Sequence, residues 1–264
     1  MFTNLISSYQ RIRDFIPPSP TSAYRVRLAE NLKDVNAAQK LRFRIFNEEL
    51  GEGLKASEAT GLDQDRFDEV CDHLLIEHVN DQSIVGTYRL QTGENAKANF
   101  GYYSEQEFCF EPFEGIRSKT VELGRACISK EHRNMVVLGL LWKGIAQYTK
   151  VYGARYLIGC SSLTSTDPVE GIAAYEKLKD CLVEDRFQTE PTDRFRITMT
   201  DSDRIRLPEA CRSVAIPRLM RSYLTLGSKV CSPPALDREF KTIDFLTFLD
   251  LQNLAPRALK KLLG

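Results

Sequence analysis

An acid and an arginine stand three residues apart in Val121-Glu122-Leu123-Gly124-Arg125, a strand-like pentapeptide followed by a long apolar run. A carboxylate can take a proton from an attacking amine and a guanidinium can hold an anion, so this pair could serve group transfer. In an extended strand, positions i and i+3 face opposite sides. Both side chains reach one pocket only if the chain bends or bulges near Gly124, and a glycine makes that bend cheap. The competing role for Glu122 is a structural ion pair with Arg125 or Arg89.

Periodicity outlines the elements that must position this segment. Residues 24–28 alternate as a strand, and residues 31–50 read as a helix with Val35, Ala38, Leu41, Ile45 and Phe46 on its apolar face. Residues 73–78 and 83–91, separated by Asn80-Asp81, read as a β-hairpin. A strand over 121–128, a helix over 136–152, a short buried strand over 156–160 and a helix over 169–178 follow. Residues 194–199 are expected as a last strand, and 208–226 and 240–263 as two more helical stretches. The order β-α-β-β-β-α-β-α implies an α/β domain with a mixed sheet. Ahead of it, Phe2, Leu5, Ile6, Tyr9, Ile12 and Ile16 fall at helical spacing before Pro17-Pro18-Ser19-Pro20. Residues 1–20 therefore read as an amphipathic helix on a stiff linker, packed on the core or lying in a membrane interface. Residues 21–264 read as one domain with a C-terminal helical extension.

The 264 residues, 42% of them hydrophobic, suit a well-buried core. Lys+Arg and Asp+Glu both number 36, so no global field draws the chain to nucleic acid. Seven cysteines without paired metal spacing read as reduced thiols of a cytoplasmic protein, and with only three histidines no metal site is expected. Neither a signal peptide nor an apolar stretch of the ~20 residues a membrane span needs is visible, which implies a soluble or peripheral protein.

Four blocks carry a family resemblance: Leu41-Arg42-Phe43-Arg44-Ile45-Phe46, Asp65-Arg66-Phe67-Asp68 with Cys71-Asp72-His73-Leu74-Leu75 after it, Gly86-Thr87-Tyr88-Arg89-Leu90, and Val121 to Arg125. Their order and spacing resemble the GNAT acyltransferase superfamily, in the branch that takes acyl groups from acyl carrier protein. That branch contains the acyl-homoserine-lactone synthases, the N-acyl amino acid synthases and the hemolysin-like ornithine acyltransferases. Cys71-Asp72-His73-Leu74, the segments around 221–226 and 233–234, and the stretch 243–251 are most similar to the last group. The resemblance implies a GNAT-like mixed, mostly antiparallel central sheet flanked by helices, with helical N- and C-terminal additions.

It also implies roles. Glu122 would be the general base. Asp65 and Asp68 would hold cationic groups of an amino-acid acceptor. Arg42, Arg89 and Arg125 would fork onto the acceptor carboxylate or the phosphopantetheine phosphate. Phe46 would pack near the thioester, and Tyr175 falls where many family members keep a tyrosine that protonates the leaving thiolate. Each has a plainer reading as a turn, salt-bridge or packing residue. Members that use coenzyme A carry a glycine-rich turn at a helix N-terminus for the pyrophosphate. Here Arg133-Asn134-Met135-Val136-Val137-Leu138 stands in its place, so the expected donor is a thioester on the phosphopantetheine of acyl carrier protein, with no permanently bound cofactor. The apolar helix around Leu138, Leu141 and Trp142 packs as core and can also wall an acyl tunnel. The implied reaction moves a long-chain, 3-hydroxylated acyl group to the α-amine of ornithine. The rivals are acylation of glycine or another amino acid, lactone synthesis, and a non-catalytic, hemolysin-like lipid-binding role. A lipid product also makes peripheral membrane contact through residues 2–16 or 254–263 an expectation.

Overall fold

The computed structural model describes residues 22–254. The expected helix over 2–16 and all but the first residue of 254–263 lie outside them. Eight strands form one sheet in the order β1 (Tyr24–Leu28), β2 (Asp72–His78), β3 (Ile84–Thr92), β4 (Thr120–Ile128), β5 (Tyr156–Leu163), β8 (Thr242–Asp250) and β6 (Lys229–Val230), with β7 (Ala235–Asp237) also paired to β8. Every pairing is antiparallel except β4 with β5. The mixed, mostly antiparallel sheet expected from the sequence is therefore present.

The pleat sorts the side chains by chemistry. Tyr88, Leu90 and Val121 turn to one face and pack with Val137, Leu141 and Trp142 of helix α3 (Met135–Val151). Arg89, Gln91 and Glu122 alternate with them and turn to the other face, which is covered by helix α1 (Leu32–Phe43) and the π-helical turn Arg44–Glu49 that extends it. Helix α2 (Gly93–Ala98) follows β3, and α4 (Pro168–Leu178) follows β5.

The C-terminal part differs from expectation. Residues 194–199 make only a single bridge, Arg196 to Ala235. The stretch expected as a helix from residue 240 contains β8, paired with β5 from Tyr156↔Asp250 to Leu163↔Ile243. Ile243-Asp244-Phe245-Leu246 is buried on both faces of the sheet, so it lacks the polar alternation that marks a strand. The helical stretch 208–226 is two helices, α5 (Asp201–Ser213) and α6 (Arg218–Leu226), separated ahead of Pro217. Among the described residues no helix is long and apolar enough to cross a membrane.

Candidate active site

Strands β4 and β5 pair only over Thr120↔Tyr156, Val121↔Leu157 and Glu122↔Ile158, although they continue to Ile128 and Leu163. They part at Gly159, where a Cβ would stand 2.1 Å from the carbonyl oxygen of Leu123. No other residue permits that approach. A cavity of about 290 Å³ occupies the gap and reaches both faces of the sheet. Its apolar wall includes Tyr88, Trp142, Leu157, Met220, Tyr223 and Leu249, and its polar wall includes Arg89, Gln91, Tyr103, Glu122, Arg125 and Asp244.

The bend expected near Gly124 is present as a bulge that begins at the next residue. Between the pairs Arg89↔Gly124 and Thr87↔Cys127, β4 holds one residue more than β3, and Arg125 takes φ +49°. This β-bulge reverses the alternation and turns Arg125 to the same face as Glu122. The Arg125 guanidinium lies 4.2 Å from the ring centre of Phe240 and 4.7 Å from that of Tyr103. It reaches Asp65 at 3.2 Å, and its Nε lies 3.5 Å from Asp63, an ion pair without hydrogen-bond geometry.

Glu122 makes no ion pair among the described residues. Its Oε1 accepts from the Ser104 amide at 2.8 Å and the Ser104 hydroxyl at 2.5 Å, and its Oε2 accepts from the Tyr103 amide at 2.8 Å. Burial raises its pKa above the ordinary carboxylate value, against the opposing pull of these bonds. Beside it, across the β3–β4 pair, Gln91 is 1% exposed and neither atom of its amide has a partner.

Arg42, Asp65 and Asp68 do not line the cavity. Arg42 is wholly buried, donating from Nε to Asp63 at 2.7 Å and from Nη2 to both oxygens of Asp68 at 2.9 and 2.8 Å. Asp65 accepts from Arg89 at 2.7 Å and Asp68 lies 3.4 Å from it, so the acids expected to hold an acceptor instead neutralise the arginines. Burial opposes ionisation of Asp65 and Asp68, but Arg89 with Arg125, and Arg42 with Arg89, outweigh it and keep both pKa values below the ordinary range. Burial and the Arg42 charge push His73 down to about 4, so it stays neutral in this frame.

Phe46 does line the cavity, edge-on to Phe240. Tyr175 does not line the cavity. It sits on α4 against the cluster around Leu178 and Met220, away from the cavity. The tyrosines that line it are Tyr88, Tyr103 and Tyr223, and the hydroxyls of Tyr88 and Tyr223 are in contact. Tyr223 arrives on α6, a helix whose docking no local pattern reveals.

A second acidic group was not anticipated. Glu107, Asp237 and Asp244 are all buried, with ligand oxygens within 4.8 Å of one another. Burial, then repulsion from Asp244 and Asp237, pushes the Glu107 carboxyl well above the usual range. Burial pushes Asp244 up to about 6 despite bonds from Ser162 and Thr242. At the start of α3, the Asn134 side chain accepts from the amides of Val136 and Val137, which occupies the donors a pyrophosphate would need.

Residues 41–143 match the acetyltransferase (GNAT) domain family. The chain is 33% identical over 242 residues to the L-ornithine Nα-acyltransferase of Agrobacterium fabrum, covering 88% of this chain and 82% of that protein. It is 31% identical over 244 residues to the L-ornithine Nα-acyltransferase of Brucella abortus, covering 88% and 86%. Among solved structures, the acyl-homoserine-lactone synthase LasI is similar in fold, with a TM-score of 0.52 and 15% identity over 90% of this chain and 95% of that one.

Proposed function

This chain belongs to the L-ornithine Nα-acyltransferase family of GNAT acyltransferases, and from that premise we propose that it transfers a long-chain, 3-hydroxylated acyl group from acyl carrier protein to the α-amine of ornithine, giving a lyso-ornithine lipid. The observation that carries the reading is the cavity between β4 and β5, which sets a carboxylate of raised pKa and an arginine against an apolar wall.

In this reading the α-amine nitrogen bonds to the thioester carbonyl carbon, the C–S bond breaks, and the thiolate leaves on the phosphopantetheine. Glu122 takes the proton of the amine, directly or through water, because a carboxylate with a raised pKa is the better base. Arg125, which lines the cavity, receives the acceptor carboxylate. Gln91, with both amide atoms free, hydrogen-bonds the acceptor or the amides of the phosphopantetheine arm. Arg125 and Ala126, which have no register partner on β3, present backbone amides to the carbonyl oxygen. Arg42, Asp65 and Asp68 hold Arg89 and Arg125 in place. The thiolate, whose parent thiol has a pKa near ~8.5, departs without needing a tyrosine such as Tyr175. The occupied amides at the start of α3 favour a carrier-protein donor over coenzyme A.

The test is incubation with a 3-hydroxyacyl thioester of acyl carrier protein and a panel of amino acids, read by product mass. Acyl-ornithine is expected. Acyl-glycine, another acylated amino acid or a lactone in its place would overturn the acceptor assignment, and turnover of the coenzyme A thioester alone would overturn the donor.

A further inference from the structure

The acids beside the cavity fall into two sets. Asp63, Asp65 and Asp68 share Arg42, Arg89 and Arg125. Glu52, Glu107, Asp237 and Asp244 have no ion pair among the described residues, yet each is at least nine-tenths buried. Burying carboxyl groups together is costly, and the Arg125 charge, which favours ionisation of Glu52, Glu107 and Asp244, does not offset it; such clusters mark functional sites.

Asp244 and Glu52 stand in the cavity wall, and Glu107 and Asp237, with oxygens within 4.8 Å of Asp244, cluster with it. Their hydroxyl and amide donors are already placed: Ser162 at 2.5 Å and Thr242 at 2.9 Å on Asp244, Thr164 on Glu52, and the amides of Glu239 and Phe240 at 2.8 and 2.9 Å on Asp237. Glu107, 1% exposed, keeps Oε1 without any partner. The Cys160 thiol lies 3.7 Å from Glu107 and feels the charges of Glu107, Asp244 and Glu122, so the acidic group and the proposed base border one space.

We propose that Asp244 and Glu107, supported by Glu52 and Asp237, bind the side-chain ammonium of a diamino-acid acceptor while its α-amine faces Glu122. The inference rests on the ornithine reading above and deepens it. An ammonium carries donors on all sides and matches several converging carboxyl oxygens. A site built to pair a buried polar group rejects an analogue that lacks it far more strongly than a hydrophobic slot rejects a missing methylene.

The experiment compares ornithine with norvaline, its analogue without the side-chain amine, for the wild type and for Asp244→Asn and Glu107→Gln. The wild type is expected to favour ornithine in kcat/KM by about 10²-fold or more. Both variants should cut that ratio at least tenfold, mainly by raising KM for ornithine. A wild-type ratio under threefold overturns the inference without any variant, and so does a ratio that survives in folded variants. Chelator-sensitive activity restored by a divalent cation also overturns it, by giving the cluster to a metal. A wild type that acylates neither compound but acylates another amino acid overturns the ornithine reading itself.

Discussion

Two groups of buried acids lie close together and are treated oppositely. In the first, each carboxylate of Asp63, Asp65 and Asp68 meets a guanidinium. In the second, Glu107, Asp237 and Asp244 have no ion pair among the described residues, and neutral groups donate to Asp244 and Asp237. Burial is comparable, so pairing decides the charge. Arginine holds Asp65 and Asp68 ionised, while desolvation, then repulsion from neighbouring acids, pushes Glu107 and Asp244 towards their protonated forms. The first group is complete in the protein alone and acts as a frame. In the proposed reading, the second is completed by the side-chain ammonium of the acceptor.

The largest effect should come from removing the centre of the frame. Arg42→Ala leaves Asp63 and Asp68 buried without their main partner and should cost about 3–5 kcal/mol of stability, read by urea unfolding. A loss under 1 kcal/mol would erase the distinction between the groups. Next, Glu122→Gln should lower kcat/KM by roughly 10²-fold or more; its amide oxygen can keep the Ser104 bonds, but its NH2 then faces the Tyr103 N–H, which should cost about 1–3 kcal/mol of stability. A loss under threefold would remove it as the base.

Asp244→Asn should do the reverse of Arg42→Ala. The Asp244 pKa is about 6 in the folded protein against an ordinary 3.8, so its stabilising contribution is full below the lower value and lost as pH rises through the higher one. The variant should therefore match or exceed the wild type above pH 6, by about 1–2 kcal/mol, with the gap closing on acidification. Asp65 and Asp68 have lowered pKa values, so their contribution is present at neutral pH and fades on acidification below the ordinary value. Equal pH profiles for wild type and Asp244→Asn would show that the second group carries no strain. The smallest effect is expected from Arg125→Lys, which keeps the charge but loses the planar fork stacked on Phe240. KM for ornithine should rise by roughly three- to tenfold, and kcat should change less.

Much of the frame was legible in the sequence. Glu122, Arg125, Arg89 and Phe46, all within the four motif blocks, line the cavity, and the bulge lies near Gly124, at Arg125. Asp63 escaped notice because it stands just outside the acidic motif, and its bond to Arg42 spans a loop. Gln91 is visible only once the β3–β4 register places it beside Glu122. The unpaired acids were hidden more deeply. Glu107 follows a single-turn helix in an irregular segment, and Asp237 and Asp244 sit in and beside a strand whose apolar run imitates a buried helix. They become a group only through the β5–β8 and β7–β8 pairings, which no local pattern encodes.

The pairing contrast assigns the two amines of the acceptor to two places, the α-amine to Glu122 and the side-chain amine to the unpaired acids. Tandem mass spectrometry of the product formed from ornithine and an acyl carrier protein thioester reads that assignment directly. The account predicts an amide at the α-nitrogen with the side-chain amine free. An amide at the side-chain nitrogen would contradict it.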